Sequence, residues 1–160
     1  MISSIIKFEL KYRLIRPATY IYAAIFLALA LLVTLTDAVR IGGAFGKINA
    51  NAPQAIHFFV LILASLGLFI AMAVMSVPVF RDWEHKSDTF LFAYPITKFQ
   101  YLTGRFVGSF IVLMGIYLMI PFGLAIGEII GKLTTDNPEK YGPFRLAAYL
   151  NPYFTAALPN

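Results

Sequence analysis

Cysteine is missing altogether, and histidine and tryptophan nearly so: the 160 residues hold two histidines and one tryptophan. Without cysteine there is neither a disulfide framework nor a thiolate metal site. The histidines, His57 and His85, form no H-E-x-x-H, so a zinc-hydrolase centre has no ligand set within this chain. Charge is scarce too. Asp, Glu, Lys and Arg make up 13% of the residues, about half the share usual in soluble domains. Hydrophobic residues reach 59% and aromatics 16%, a balance that fits an integral membrane protein and not a water-soluble globular domain. The net charge of +5 does not argue for nucleic acid, because no basic patch stands apart from the apolar segments.

What the chain does have is long runs without charge. Twenty residues separate Arg16 from Asp37, 23 separate His57 from Arg81, and 22 separate Arg105 from Glu128. A helix needs about 20 apolar residues to cross the ~30 Å hydrocarbon core, so each run can span. The predicted fold is therefore all-α, a helical integral membrane protein with transmembrane helices at 17–36, 56–80 and 106–130. The first run is longer than the ~7–15 residues of a signal-peptide core, which argues against cleavage there.

Lys and Arg set the orientation. Lys7, Lys11, Arg13 and Arg16 before the first span, with Arg81, Lys86, Lys98 and Arg105 between the second and third, place eight on one side. Arg40, Lys47, Lys132, Lys140 and Arg145 place five on the other. The positive-inside rule puts the N-terminus and residues 81–105 in the cytoplasm, and Tyr20, Tyr22, Trp83, Tyr94 and Tyr101 fall near that interface.

Residues 1–16, "MISSIIKFELKYRLIR", read as an interfacial helix. Ile5, Phe8, Tyr12 and Ile15 form one apolar stripe and Ile6, Leu10 and Leu14 a second, while Glu9 is spaced to pair with Arg13. Such a helix suits a position between lipid and neighbouring protein. Pro17 predicts a break before the first span. Residues 37–55 form an outer loop whose "GGAFGKI" fails as a phosphate-binding loop, because Ile41 stands where its first glycine is needed and Ile48 follows the lysine.

In the third span Gly123, Gly127 and Gly131 recur every four residues, and Gly104 and Gly108 repeat the spacing at its cytoplasmic end. Small residues so placed let a partner backbone approach, which predicts a helix-packing face. Pro121 removes an amide and should bend this helix. No charge falls at the centre of a span, and Glu128, close to an outer end, is expected to be a solvated carboxylate. The outer segment 131–160 turns polar and then aromatic. Three spans followed by this segment read as the first part of a larger protein.

The segment between spans two and three, "RDWEHKSDTFLFAYPITKFQYLTGRF", holds eight charged residues counting His85. It divides at Tyr94 and Pro95 into two short helical pieces. Thr97 to Gln100 has the T-x-x-Q form of a capping box, so the third helix should start before its apolar core. Its polar start can meet a soluble partner while "TFLFAYP" stays on an apolar surface; a plain solvated loop is the simpler reading.

The order of N-terminal helix, span, loop, span and then "RDWEHKSDTFLFAYPITKFQYLTGRFVGSF" resembles the permease half of type-2 ATP-binding-cassette exporters. In that family this segment has an acidic start, a central P-I/V and a return of the form K-x-x-Y-x-x-G-R/K-F-x-G. Asp82, Glu84, Pro95, Ile96, Lys98, Tyr101, Gly104, Arg105, Phe106 and Gly108 match it here. "NAPQAI" and "NPEKYGPFRLAAYLNPYFTAALPN" are similar to the N-terminal membrane region of large bacterial proteins that join such a permease to a zinc aminopeptidase domain.

The resemblance implies that 1–160 is one partial permease transmembrane domain in the bacterial inner membrane, with 81–105 as a cytoplasmic coupling segment. A separate ATPase subunit would contact Asp82, Glu84, Lys86, Phe90, Pro95, Lys98, Tyr101 and Arg105. It also implies a second permease half or a homodimer, no cofactor in this chain and no catalysis by it, since ATP hydrolysis belongs to the partner. The rival reading is the membrane anchor of a larger zinc aminopeptidase, without transport of its own.

Overall fold

The computed structural model describes residues 2–36, 49, 51–84, 97–134 and 141–157. Every regular element among them is helical. Helix α1 (Ile2–Ile15) ends at Arg16, whose extended backbone leads straight into α2 (Pro17–Leu35). Proline disfavours helix at the residue before it, and its missing amide is harmless in a first turn, so Pro17 both ends one helix and starts the next. The last carbonyls of α1 are taken up by α2: Thr19 Oγ1 donates to the Arg13 carbonyl and Tyr20 Oη to that of Leu14, each at 2.8 Å.

Helix α3 (Pro53–Glu84) has 32 residues, about 48 Å at 1.5 Å per residue. Helices α4 (Lys98–Tyr117) and α5 (Met119–Thr134) follow nearly end to end, and the short α6 (Leu146–Pro152) leads into a π-helical turn, Tyr153–Ala157. Three stretches among the described residues are long and apolar enough to cross a membrane: Pro17–Leu35, Pro53–Val77 and Lys98–Thr134. The second helix thus starts earlier than the expected 56, and the third starts at Lys98, ahead of its apolar run from 106, as its T-x-x-Q signal predicts. Thr97 supplies the reason. Its hydroxyl accepts from the Gln100 amide at 3.3 Å while Gln100 Oε1 accepts from the Thr97 amide, the reciprocal cap that lets a helix begin in polar sequence. Most of the loop at 37–55, and residues 85–96 of the segment at 81–105, lie outside the described residues.

Near the expected bend at Pro121, the helix is interrupted at Leu118, where α4 gives way to α5. No amide can reach the Tyr117 carbonyl from Pro121, so the ladder is interrupted in the turn just before the proline.

Packing follows two patterns. Along α3, Ala55, Ile56, Phe59, Val60, Leu63, Ala64 and Val74 are buried, a stripe at spacings of three, four and seven that faces the other helices. The opposite side is equally apolar, with Phe58, Leu61, Leu66, Phe69 and Met72 exposed. The second pattern is a glycine ladder along α4 and α5. A Cβ on Gly104 would stand 2.8 Å from Ile5, one on Gly108 2.8 Å from Glu9, and one on Gly123 2.7 Å from Ala30 and 3.1 Å from the Leu27 carbonyl. Gly127 abuts Thr34 and Gly131 abuts Tyr141 in the same way. Residue numbers rise together on both sides, so 2–35 runs parallel to 98–134, as the first and third long segments of an up-down-up bundle must. Phe26 and Tyr117 meet edge to face between these contacts, with ring centroids 5.5 Å apart.

Because a backbone carbonyl cannot move aside, Gly123→Leu should destabilise the chain by about 1–3 kcal/mol. Gly115 has nothing within 4 Å of an added Cβ, so Gly115→Ala should be neutral or raise stability by roughly 0.5–1 kcal/mol. Thermal unfolding of the detergent-solubilised chain, followed by circular dichroism, checks both.

Candidate functional site

Glu9 is the most deeply buried charged side chain among the described residues, with 0% of its surface exposed. It is buried because α1 lies against the first turns of α4, where Gly104 and Gly108 lack side chains and allow close approach. Arg13, one turn later, donates from Nε to Glu9 Oε1 at 2.8 Å. Arg105, on α4, donates from Nη1 to Glu9 Oε2 at 2.5 Å. Arg13 also donates from Nη2 to the Val74 carbonyl at 2.6 Å and to Ser109 Oγ at 3.0 Å, and the Ser109 hydroxyl donates to the Arg105 carbonyl. The Arg105 guanidinium lies 5.6 Å from the Phe8 ring centroid and 5.5 Å from that of Tyr101, within cation–π range.

This arrangement ties α1, α3 and α4 together at the end of the bundle where α4 begins. Burial alone would raise the Glu9 carboxyl pKa, but hydrogen bonds and charge from Arg105 and Arg13 outweigh it and hold the pKa below its ordinary value of 4.5. The carboxylate is thereby kept ionised. Two cations around one anion make an electrostatic clamp and no acid–base pair, because neither guanidinium gives up its proton.

A second buried cluster lies at the opposite end. Glu128, 2% exposed, accepts from Asn51 Nδ2 at 2.9 Å and pairs with Lys132, and the Tyr149 hydroxyl donates to its other oxygen. Asn51 also exchanges two hydrogen bonds with Gly142, at 2.9 and 2.7 Å, and Lys132 donates to the same Gly142 carbonyl. The expected solvated Glu128 is therefore corrected. Side chains from the turn before α3, from α5 and from α6 converge on it, and none of these partners beyond Lys132 is near in sequence.

The sequence-predicted contact residues fall into three groups. Glu84 and Lys98 are exposed, at the end of α3 and the start of α4, and Tyr101 is half-buried against Arg105. Arg105 is turned inward onto Glu9, so it departs from the expected exposed position. Asp82 belongs to α3, and Lys86, Phe90 and Pro95 lie outside the described residues. The glycine candidates Gly104, Gly108, Gly123, Gly127 and Gly131 all pack within the chain. Among the described residues no group of three His, Cys, Asp or Glu side chains gathers as a metal site would require. Sequence reasoning placed the Glu9–Arg13 pair on a surface helix and missed its burial; the glycines at 104 and 108, opposite that pair, are the signal that reveals it.

No family model matches the chain, and no curated protein or solved structure matches it either.

Removing one member of a buried ion network leaves the others uncompensated, so Glu9→Gln should cost about 3–5 kcal/mol. The lowered Glu9 pKa stabilises the fold fully above the ordinary value of 4.5, and this contribution is lost as pH falls from there through the lower folded value. Wild type should therefore lose stability in that acid window while Glu9→Gln shows a flatter profile there, as measured by unfolding at a series of pH values.

Proposed function

We propose that this chain is a membrane-spanning part of an ATP-binding-cassette exporter permease, non-catalytic itself and driven by a separate ATPase subunit. The membrane reading draws on three long apolar helices whose outward faces are as apolar as their inward ones, a pattern typical of helices with lipid on one side. The bacterial inner membrane, with the N-terminus in the cytoplasm, follows from the charge asymmetry and the resemblance.

One observation carries the transport reading: the Glu9 clamp fastens the N-terminal helix to the first turns of the third span, directly after the segment proposed to meet the ATPase. In the proposed mechanism, closure of the ATPase pair displaces residues 81–104, with Asp82, Glu84, Lys86, Phe90, Pro95, Lys98 and Tyr101 at the contact. Arg105 acts one step further in. Its ion pair makes α1 move with the base of α4, so the displacement enters the bilayer as motion of a packed unit. Coupling of this kind requires the contact to differ between two states of the ATPase.

Two variants test the reading in the intact protein purified from its own membranes. Asp82→Lys with Glu84→Lys should leave membrane insertion unchanged and remove vanadate-sensitive ATP hydrolysis from the purified complex. Glu9→Leu with Arg13→Met and Arg105→Met replaces the clamp by apolar groups, a change buried ion triads often tolerate. It should keep the ATPase subunit bound but abolish transport. An intact wild-type chain with no associated ATP hydrolysis would favour the anchor reading and overturn this one.

A further inference from the structure

We infer that the outward face of α1 is a binding site for the headgroups of anionic phospholipids, with Lys7 and Lys11 as its charged contacts. This rests on the membrane reading of the three spans but not on the ATPase partner.

Helix α1 is amphipathic in an inverted sense. Its Glu9 and Arg13 are turned into the protein, whereas Phe8, Leu14 and Ile15 are 56%, 52% and 71% exposed. Lys7 and Lys11, one turn apart, are exposed on the same outward side, as are Ser3 and Ser4. Large apolar side chains beside lysines on an exposed face suit the boundary between headgroups and acyl chains, and not open water. The lysine stems cover apolar surface there while the ammonium groups reach outward.

Position along the bundle gives the second argument. Ile5 packs on Gly104 and Glu9 on Gly108 in parallel, which sets Lys7 level with Phe106, the first residue of the 22-residue charge-free run. Lys11 follows one turn on, and only Arg16 separates α1 from the first span. Lys7 thus stands at the depth where the polar segments give way to the charge-free spans, and Lys11, level with Phe110, stands one turn further in, where its long stem can carry the ammonium back toward that boundary.

Charge complementarity selects the lipid. The one acidic residue of α1 is Glu9, already held by Arg13 and Arg105, and no carboxylate pairs with Lys7 or Lys11 among the described residues. The outward face is therefore purely cationic. It matches phosphate-bearing headgroups of net negative charge, such as phosphatidylglycerol, better than zwitterionic ones.

The test titrates the intact, detergent-solubilised chain with phosphatidylglycerol and, separately, phosphatidylcholine, reading bound lipid by native mass spectrometry. Wild type should prefer phosphatidylglycerol, and the preference should fall roughly fivefold for each lysine removed in Lys7→Gln and Lys7→Gln/Lys11→Gln. Arg145→Gln, an exposed cation at the opposite end, should leave it unchanged. Equal affinity for the two lipids, or a preference that survives the double substitution, overturns the proposal. So does loss of the preference on adding inorganic phosphate, which would mark a site for free anions. Release of the chain from vesicles by alkaline carbonate would overturn the membrane reading and this inference with it, whereas absence of an ATPase partner would touch only the transport reading.

Discussion

A carboxylate enclosed between two guanidiniums, with none of its surface in water, constrains every helix that touches it. An isolated buried charge costs several kcal/mol even after relaxation, so Glu9 is tolerable only where Arg13 and Arg105 both reach it. That requirement fixes the rotation of α1 about its own axis and its register along α4. It also fixes α3, because Arg13 donates from Nη2 to the Val74 carbonyl as well as to Ser109 of α4. A one-residue slip of α1 would turn Glu9 by about 100° away from both partners.

The clamp works only because the backbones come close: Gly104 and Gly108 provide that proximity at α1, and Gly123, Gly127 and Gly131 repeat it further along the same long helix. Two different contacts divide the long helix. Below the break at Leu118 it is held by α1 through charge; above it, α2 is held through Ala30 and Thr34 against Gly123 and Gly127. The end opposite the clamp closes with Glu128, whose partners from the turn before α3, from α5 and from α6 gather loosely connected segments around one carboxylate. Each end of the bundle is thus fastened by one buried acid, and the stretch between is fastened by shape.

Much of this was legible in the sequence where the cause is local. Charge-free run length gives three helices, Pro17 gives the α1–α2 junction, T-x-x-Q gives the start of α4, and the i, i+4 spacing gives the Glu9–Arg13 pair. The glycine spacing announces close packing but not its partner, since periodicity on one helix is silent about which other helix faces it. The burial of Glu9 and Glu128 was not legible for a physical reason. Their other partners lie 96, 77 and 21 residues away, and a solvated and a buried carboxylate have the same local sequence. Arg105 was misread as a surface residue by the same route.

The distance in sequence between Glu9 and Arg105 has a consequence for biosynthesis. The ribosome makes α1 before α4, and although Arg13 follows Glu9 at once, the second cation of the clamp, Arg105, emerges 96 positions after Glu9, roughly 5–20 s at ordinary elongation rates. During that interval α1 has no cavity to enter, and its apolar and basic outward face is the part suited to hold it. Helix α1 is consequently seated only after a helix made later than itself, and its docking reports that α4 has arrived.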